Sequence, residues 1–219
     1  MSHGKQFTLF SHLRGPNGWK VAMVFEELGL TYETTFLDFQ KGEQKLPEHV
    51  KYNPNGRIPT IIDHHNDDFV LWESDAILLY LVDRYDPEHR ISVTSEREKY
   101  QQLQWLFFQS SGQGPYFGQA AWFIRLHSEQ IPSAQERYRN EIKRVWSVLD
   151  GVLSKQEWLV GGKCTIADIS FIPWNDIALS HLIQIDFAAE YPALAAWQQK
   201  LHDRPAQKKL QELKAAVSS

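Results

Sequence analysis

The run FTLFSHLRGPNGWKVAMVFEELG, residues 7–29, decides the fold. Four of its first five residues are aromatic, apolar or β-branched, the composition of a buried strand, and that pattern stops at residues 12–16. From Trp19 the apolar side chains Val21, Met23, Val24, Phe25 and Leu28 recur at helical spacing until Gly29, a residue suited to a helix C-terminus. Residues 31–39 are rich in Tyr, Thr and Phe and read as a second strand. Strand, helix, strand is the opening of a parallel βαβ unit.

Working outward, Asn53-Pro-Asn-Gly56 is a dense turn signal, and Ile58-Pro-Thr-Ile-Ile62 resumes β-type residues. The polar stretch 64–68 separates these from Phe69-Val-Leu-Trp72, so the two runs predict a hairpin. A helix then starts at Ser74 and continues through Ile77, Leu78, Leu81 and Tyr85 to Asp86-Pro87. The first domain therefore spans residues 1–86, in the order β, α, β, irregular helix, β, β, α. Residues 87–94 form a link, and residues 95–219 read as helical throughout.

The chain has 219 residues, 42% of them hydrophobic and 13% aromatic, enough to bury a core in each of two modest domains. With 23 basic against 27 acidic side chains and a net charge of −4, it lacks the electrostatic footprint of a nucleic-acid binder. The polar residues 1–6 precede no apolar run of signal-peptide or membrane-spanning length. The single cysteine, Cys164, admits no internal disulfide and belongs to no metal-ligand spacing. A cytoplasmic, reducing location is expected, with no nucleic acid and no membrane as partner.

Chemistry concentrates at three loops. At the first strand-to-helix junction, Gly15-Pro-Asn17 occupies a helix N-terminus, whose unpaired N–H groups and partial positive charge stabilise an anion. No cysteine stands there, so any thiolate comes from a ligand. Asn17 either turns its amide N–H₂ toward a ligand sulfur or caps the helix. Ile58-Pro59 enters a strand: Pro59 is an ordinary edge-strand proline, or it is cis and frees the Ile58 N–H and C=O to pair with an extended peptide. Glu73-Ser74 begins the helix at 74–85. Together the two fit an ammonium and a carboxylate, or they are a plain cap with an acidic first turn. The three loops jointly describe a small cysteine-containing peptide with a free amino-acid end.

On Leu9-Phe-Ser-His12, Gly15-Pro-Asn-Gly-Trp-Lys-Val21, Phe36-Leu-Asp38, Asn53-Pro-Asn-Gly56, Ile58-Pro59 and Trp72-Glu-Ser74, the chain resembles the cytosolic glutathione transferases. The similarity is to the branch that includes the fungal nitrogen-regulator prion protein and bacterial disulfide-bond oxidoreductases, in which an active-site Asn replaces Tyr, Ser or Cys. The resemblance implies an α+β thioredoxin-like N-terminal domain followed by an all-α C-terminal domain. It implies glutathione as co-substrate, Asn17 beside its sulfur, Ile58 on its backbone, and Glu73 with Ser74 on its γ-glutamyl end. Gln44 stands where relatives often carry His. Lys41, Lys45 and Arg57 are basic candidates for the glycine carboxylate or solvated surface charges. The second-substrate site is implied in the helical domain, along Tyr116, Phe117, Trp122, Phe123, Arg125 and His127, with Arg125 as a contact for a second glutathione. Core packing accounts for Trp122 and at least two of the others. A homodimer is also implied, as is attack on an electrophilic, peroxide or disulfide substrate; the alternative is a non-catalytic glutathione-binding regulator acting through protein contacts.

In the helical half, Gly112, Gly114, Gly118 and Pro115 predict a kink in the helix starting near Ser95. Thr165-Ile-Ala-Asp168 is a capping box whose role is stability. His64-His65 with Asp67 and Asp68 falls in the predicted hairpin turn, so no metal is assigned to it.

Overall fold

The computed structural model describes residues 4–218; residues 1–3 and 219, which the sequence reading includes at the two ends of its domains, lie outside that range. Contacts divide the described residues into one unit of residues 4–91 with 204–218 and another of residues 92–203.

In the first unit β1 (Phe7–Ser11) leads through α1 (Pro16–Leu28) into β2 (Tyr32–Phe36), which pairs parallel to β1, as a crossover helix requires. A 3₁₀ turn (Glu43–Lys45) and the one-turn helix α2 (Pro47–Val50) fill the irregular segment. β3 (Thr60–Asp63) and β4 (Phe69–Trp72) form the hairpin, and the sheet order is β2-β1-β3-β4. α3 (Ser74–Tyr85) packs beside α1. The core is Phe7, Leu9, Val21, Val24, Phe25, Ile61, Ile77 and Leu78, each no more than 1% exposed.

Two local features fix how α1 meets the sheet. Gly29 ends the helix at φ 70°, ψ 25°, a left-handed conformation in which glycine carries no Cβ penalty. Gly18 faces Ser11 so closely that a Cβ would stand 1.9 Å from the Ser11 Oγ.

The sequence reading places residues 204–219 in the second domain; the structure places α10 (Pro205–Ser218) against α1 instead. The Arg204 guanidinium grips Glu27 with bonds of 2.6 and 2.7 Å, Lys209 meets Glu26 at 2.6 Å, and Lys214 lies over the Trp19 ring. These partners are more than 170 residues apart in sequence for the two ion pairs, so neither local periodicity nor composition announces the docking.

The second unit is helical. α4 (Glu96–Phe108) passes into a π-helical turn (Gln109–Gln113), α5 (Gly114–Ala121) and a second π turn (Trp122–Leu126). The glycine-rich stretch predicted to kink thus carries a π turn within a continuing run of helix. α6 (Pro132–Leu153), α7 (Ile166–Ile177), a third π turn (Ala178–Leu182), α8 (Phe187–Glu190) and α9 (Pro192–His202) follow. The capping box at Thr165 forms with both reciprocal bonds. Trp122, read as core, is 48% exposed, whereas Phe117 is fully buried. Among the described residues no helix is long and apolar enough to cross a membrane.

Candidate functional site

The register of the sheet gathers the three loops. Phe10 pairs with Thr60, and Thr60 pairs with Trp72. The end of β1, the start of β3 and the end of β4 therefore lie at one end of the sheet, and the segments adjoining them are 12–17, 56–59 and 73–74. The first two touch: a Cβ at Gly15 would stand 2.9 Å from Cδ1 of Ile58.

The N-cap of α1 is Gly15, with Pro16 in the first helical position and no side-chain cap. Asn17 is thus inside the helix's first turn, and the capping role left open for it falls to Gly15. That turn carries no acidic side chain, so the positive end of the helix dipole meets no carboxylate of its own. His12 lies beside Gly15 and stacks on Phe39 at 4.4 Å. Burial, with the Arg14 charge next, pulls its imidazole below the usual pKa, while Asp38 opposes.

The Ile58–Pro59 peptide bond is cis. The Ile58 N–H and C=O make no hydrogen bond among the described residues. The preceding carbonyl is held firmly: the Arg57 C=O accepts from the Asn53 Nδ2 at 3.0 Å and lies 2.8 Å from the His49 Nε2. Asn53 also donates to the Thr60 Oγ1, and its own Oδ1 accepts the Asn55 N–H. The Arg57 side chain is exposed and has no partner among the described residues. Gln44 sits on the neighbouring 3₁₀ turn with its Oε1 buried and unpaired, a group that a ligand N–H or a water would complete. Lys45 bonds the Asn55 C=O, while Lys41 pairs at the surface with Asp38 at 3.2 Å.

At the third loop Glu73 adopts φ 70°, ψ 112°, a conformation that costs a non-glycine residue of order 1–3 kcal/mol and recurs at ligand-binding positions. Ser74 is 8% exposed, and its hydroxyl makes no hydrogen bond among the described residues. Beneath both helix starts the Lys20 ammonium lies 2.9 Å from the Asp75 Oδ1. Burial lowers the Lys20 pKa; Asp75, and more weakly Glu73, raise it.

The structure therefore brings Asn17, Ile58, Pro59, Glu73 and Ser74 to one end of the sheet, with Gln44 and Arg57 on the adjoining loop. Arg125 belongs to the other unit, where it lines a cavity with residues of α6. Sequence reasoning missed His49, Asn53, Lys20 and Asp75. For Lys20 the signal was present: it is the one charge within the apolar run from Trp19 to Phe25.

The family models for the N-terminal and C-terminal domains of glutathione S-transferase match residues 5–83 and 115–205. Glutathione S-transferase 1 of Schizosaccharomyces pombe is 51% identical over 215 residues, covering 93% of this chain and 94% of its own. Protein URE2 of Candida albicans is 41% identical, over 93% of this chain and 69% of its own length. Among solved structures, the glutathione transferase URE2P6 of Phanerochaete chrysosporium in complex with oxidized glutathione superposes with a TM-score of 0.97 at 62% identity, covering 99% of this chain and 100% of the other. Ure2p in complex with glutathione gives 0.90 at 42% identity, over 95% and 99%. A thioredoxin-like sheet, a helical second unit, both family domains in order and relatives at about half identity make the chain a member of the glutathione transferase family.

Proposed function

We propose that the chain binds glutathione at the end of the sheet bordered by Asn17, Ile58 and Glu73-Ser74 and activates its thiol for attack on a disulfide, with electrophilic carbons and peroxides as further acceptors. The observation that carries this reading is the approach of Gly15 to Ile58, which sets an anion-stabilising helix start beside an unpaired backbone N–H and C=O. An extended peptide hydrogen-bonded to Ile58 leaves its central side chain at the helix start. There the dipole and the Asn17 amide favour the thiolate over the thiol.

In thiol–disulfide exchange the bound thiolate attacks the glutathionyl sulfur of a mixed disulfide, forming oxidised glutathione and releasing the other sulfur as a thiolate that takes a proton from solvent. Cys164 is buried and lies in the second unit, so glutathione supplies both electrons. Glu73 and Ser74 hold the α-amino acid end; Arg57, Gln44 and Lys41 serve the opposite carboxylate. Homodimer assembly belongs to the same reading and is checked by light scattering, where twice the monomer mass is expected.

The test is reduction of a glutathione mixed disulfide by purified protein, coupled to reductase recycling of oxidised glutathione. Turnover well above the uncatalysed rate supports the reading. Saturable glutathione binding without turnover on disulfide, peroxide or electrophile would assign the chain to the non-catalytic, regulatory alternative instead.

A further inference from the structure

The Arg57 carbonyl and the Ile58 N–H belong to one peptide unit, and that unit is trans. A trans peptide is planar with its C=O and N–H directed to opposite sides, so fixing the direction of one fixes the other. The Arg57 oxygen is fixed twice. The Asn53 Nδ2 donates to it at 3.0 Å and the His49 Nε2 at 2.8 Å, which together fill the two acceptor sites of a carbonyl. Because a carbonyl only accepts, the ring proton of His49 sits on Nε2. The Ile58 N–H therefore points away from His49 and Asn53, and it is the end of this peptide that has no hydrogen bond among the described residues.

His49 is well placed to hold that carbonyl. Its own C=O accepts the Tyr52 and Asn53 N–H groups at 2.9 and 3.1 Å, so the residue that carries one donor anchors the residue that carries the other. It is 2% exposed, and its ring meets that of Phe10 edge-on with centroids 5.3 Å apart. Its Nδ1 is buried without a partner. An unpaired buried acceptor costs stability, and a phenyl ring would fill similar space without that cost. Packing therefore does not account for a histidine at this position. What a phenyl ring lacks is the donor to Arg57.

We propose that His49 is a positioning residue for glutathione: with Asn53 it clamps the Arg57 carbonyl and so aims the Ile58 N–H at the backbone of the bound peptide. It touches no reacting atom. A group aimed in advance spares the ligand the entropy of ordering that peptide on binding. The inference rests on the glutathione reading and adds to it a side chain on α2.

The test is calorimetric titration of the full-length protein and of its His49→Phe and His49→Gln variants with glutathione, with thermal unfolding of each. In His49→Phe the Kd should rise about three- to tenfold, the range of one lost hydrogen bond. Its unfolding midpoint should stay within about 3 °C of the parent, which a purely structural role for the donor would not allow. His49→Gln, whose side-chain amide restores an N–H donor, should recover most of the affinity. Hydrogen exchange at the Ile58 amide gives the direct readout: glutathione should slow it in the parent and slow it less in His49→Phe. Parent-like affinity in His49→Phe, or an equal loss in the Phe and Gln variants, overturns the proposal and leaves the glutathione reading in place. A parent protein that binds no glutathione overturns both. The exchange measurement on the parent needs no variant, so an Ile58 amide indifferent to bound glutathione overturns the proposal even where a variant misfolds.

Discussion

The Lys20 ammonium on α1 lies 2.9 Å from the Asp75 carboxylate in the first turn of α3, with 1% and 13% of the two side chains exposed. The pair ties together the two helix starts that border the candidate glutathione site. Removing one charge from a buried pair strands the other, at a cost of about 3–5 kcal/mol. Lys20→Met should therefore be strongly destabilised in urea unfolding, and adding Asp75→Leu should recover most of the loss. A double variant no better than the single one would mean that the site tolerates an isolated carboxylate.

Asn17→Ala is expected to lower turnover about tenfold or more while changing glutathione affinity little, the pattern of a group that stabilises charge rather than ground-state contacts. Its pH–rate profile should move to higher pH, because the bound thiol loses a donor that favours the thiolate. Steady-state kinetics across pH separate these effects. Unchanged kcat with an unmoved profile removes the role.

Two glycines should respond with opposite signs. Gly18→Ala forces a methyl within 1.9 Å of the Ser11 Oγ and should destabilise by about 1–3 kcal/mol. Gly151→Ala lies in an exposed stretch of α6 with nothing within 4 Å, and should stabilise by about 0.5–1 kcal/mol through helix propensity. Thermal unfolding of the two single variants reads both signs.

The carboxylate of Asp168 accepts four buried hydrogen bonds: from the Leu159 N–H, the Thr165 N–H, the Thr165 Oγ1 and the Trp197 Nε1. Capping boxes alone suggest a loss near 1 kcal/mol for either partner. Here Asp168→Ala strands several donors, so about 3 kcal/mol or more is expected. Thr165→Ser retains the hydroxyl and should cost less than about 1 kcal/mol. Chemical denaturation measures the contrast.

His12 sets a pH dependence. Its imidazole titrates below the 6.5 of an unperturbed histidine, burial being the main cause. Just below pH 6.5 the unfolded chain binds a proton there that the folded protein resists, so stability falls as pH drops through that window. Above it both states are neutral at this site and the contribution vanishes. His12→Gln should flatten the fall relative to the parent when midpoints are compared from pH 7 to pH 5. Parallel curves would show that His12 titrates normally.

Periodicity made most of the first unit legible, because short strands, one amphipathic helix and their turn residues carry their signals within a few positions. It located β1, α1, the β3–β4 hairpin and α3, and it marked Asn17, Ile58 and Glu73-Ser74 as candidate contacts for a ligand. The same local logic found the capping box at Thr165 and the irregularity after Phe108. What it could not carry was any pairing between distant segments. α10 reads as one more amphipathic helix, and only the meeting of Arg204 with Glu27 and of Lys209 with Glu26 assigns it to the first unit. Trp122 has the composition of a core residue, and exposure is decided by what the neighbouring helices cover. Which side chains share a cavity is likewise a property of the assembled helices, as Arg125, Arg139 and His181 illustrate. The sequence by itself determined the resemblance to the family, carried by short motifs, and the order of elements in the first unit, which rests on local conformation; it also singled out the three loops proposed to hold a thiol peptide. Tertiary structure alone decided the Lys20–Asp75 pair, the brace of His49 and Asn53 beneath Ile58, and the cavity that Arg125 lines in the second unit, because each depends on burial and distance between residues that the chain brings together only when folded.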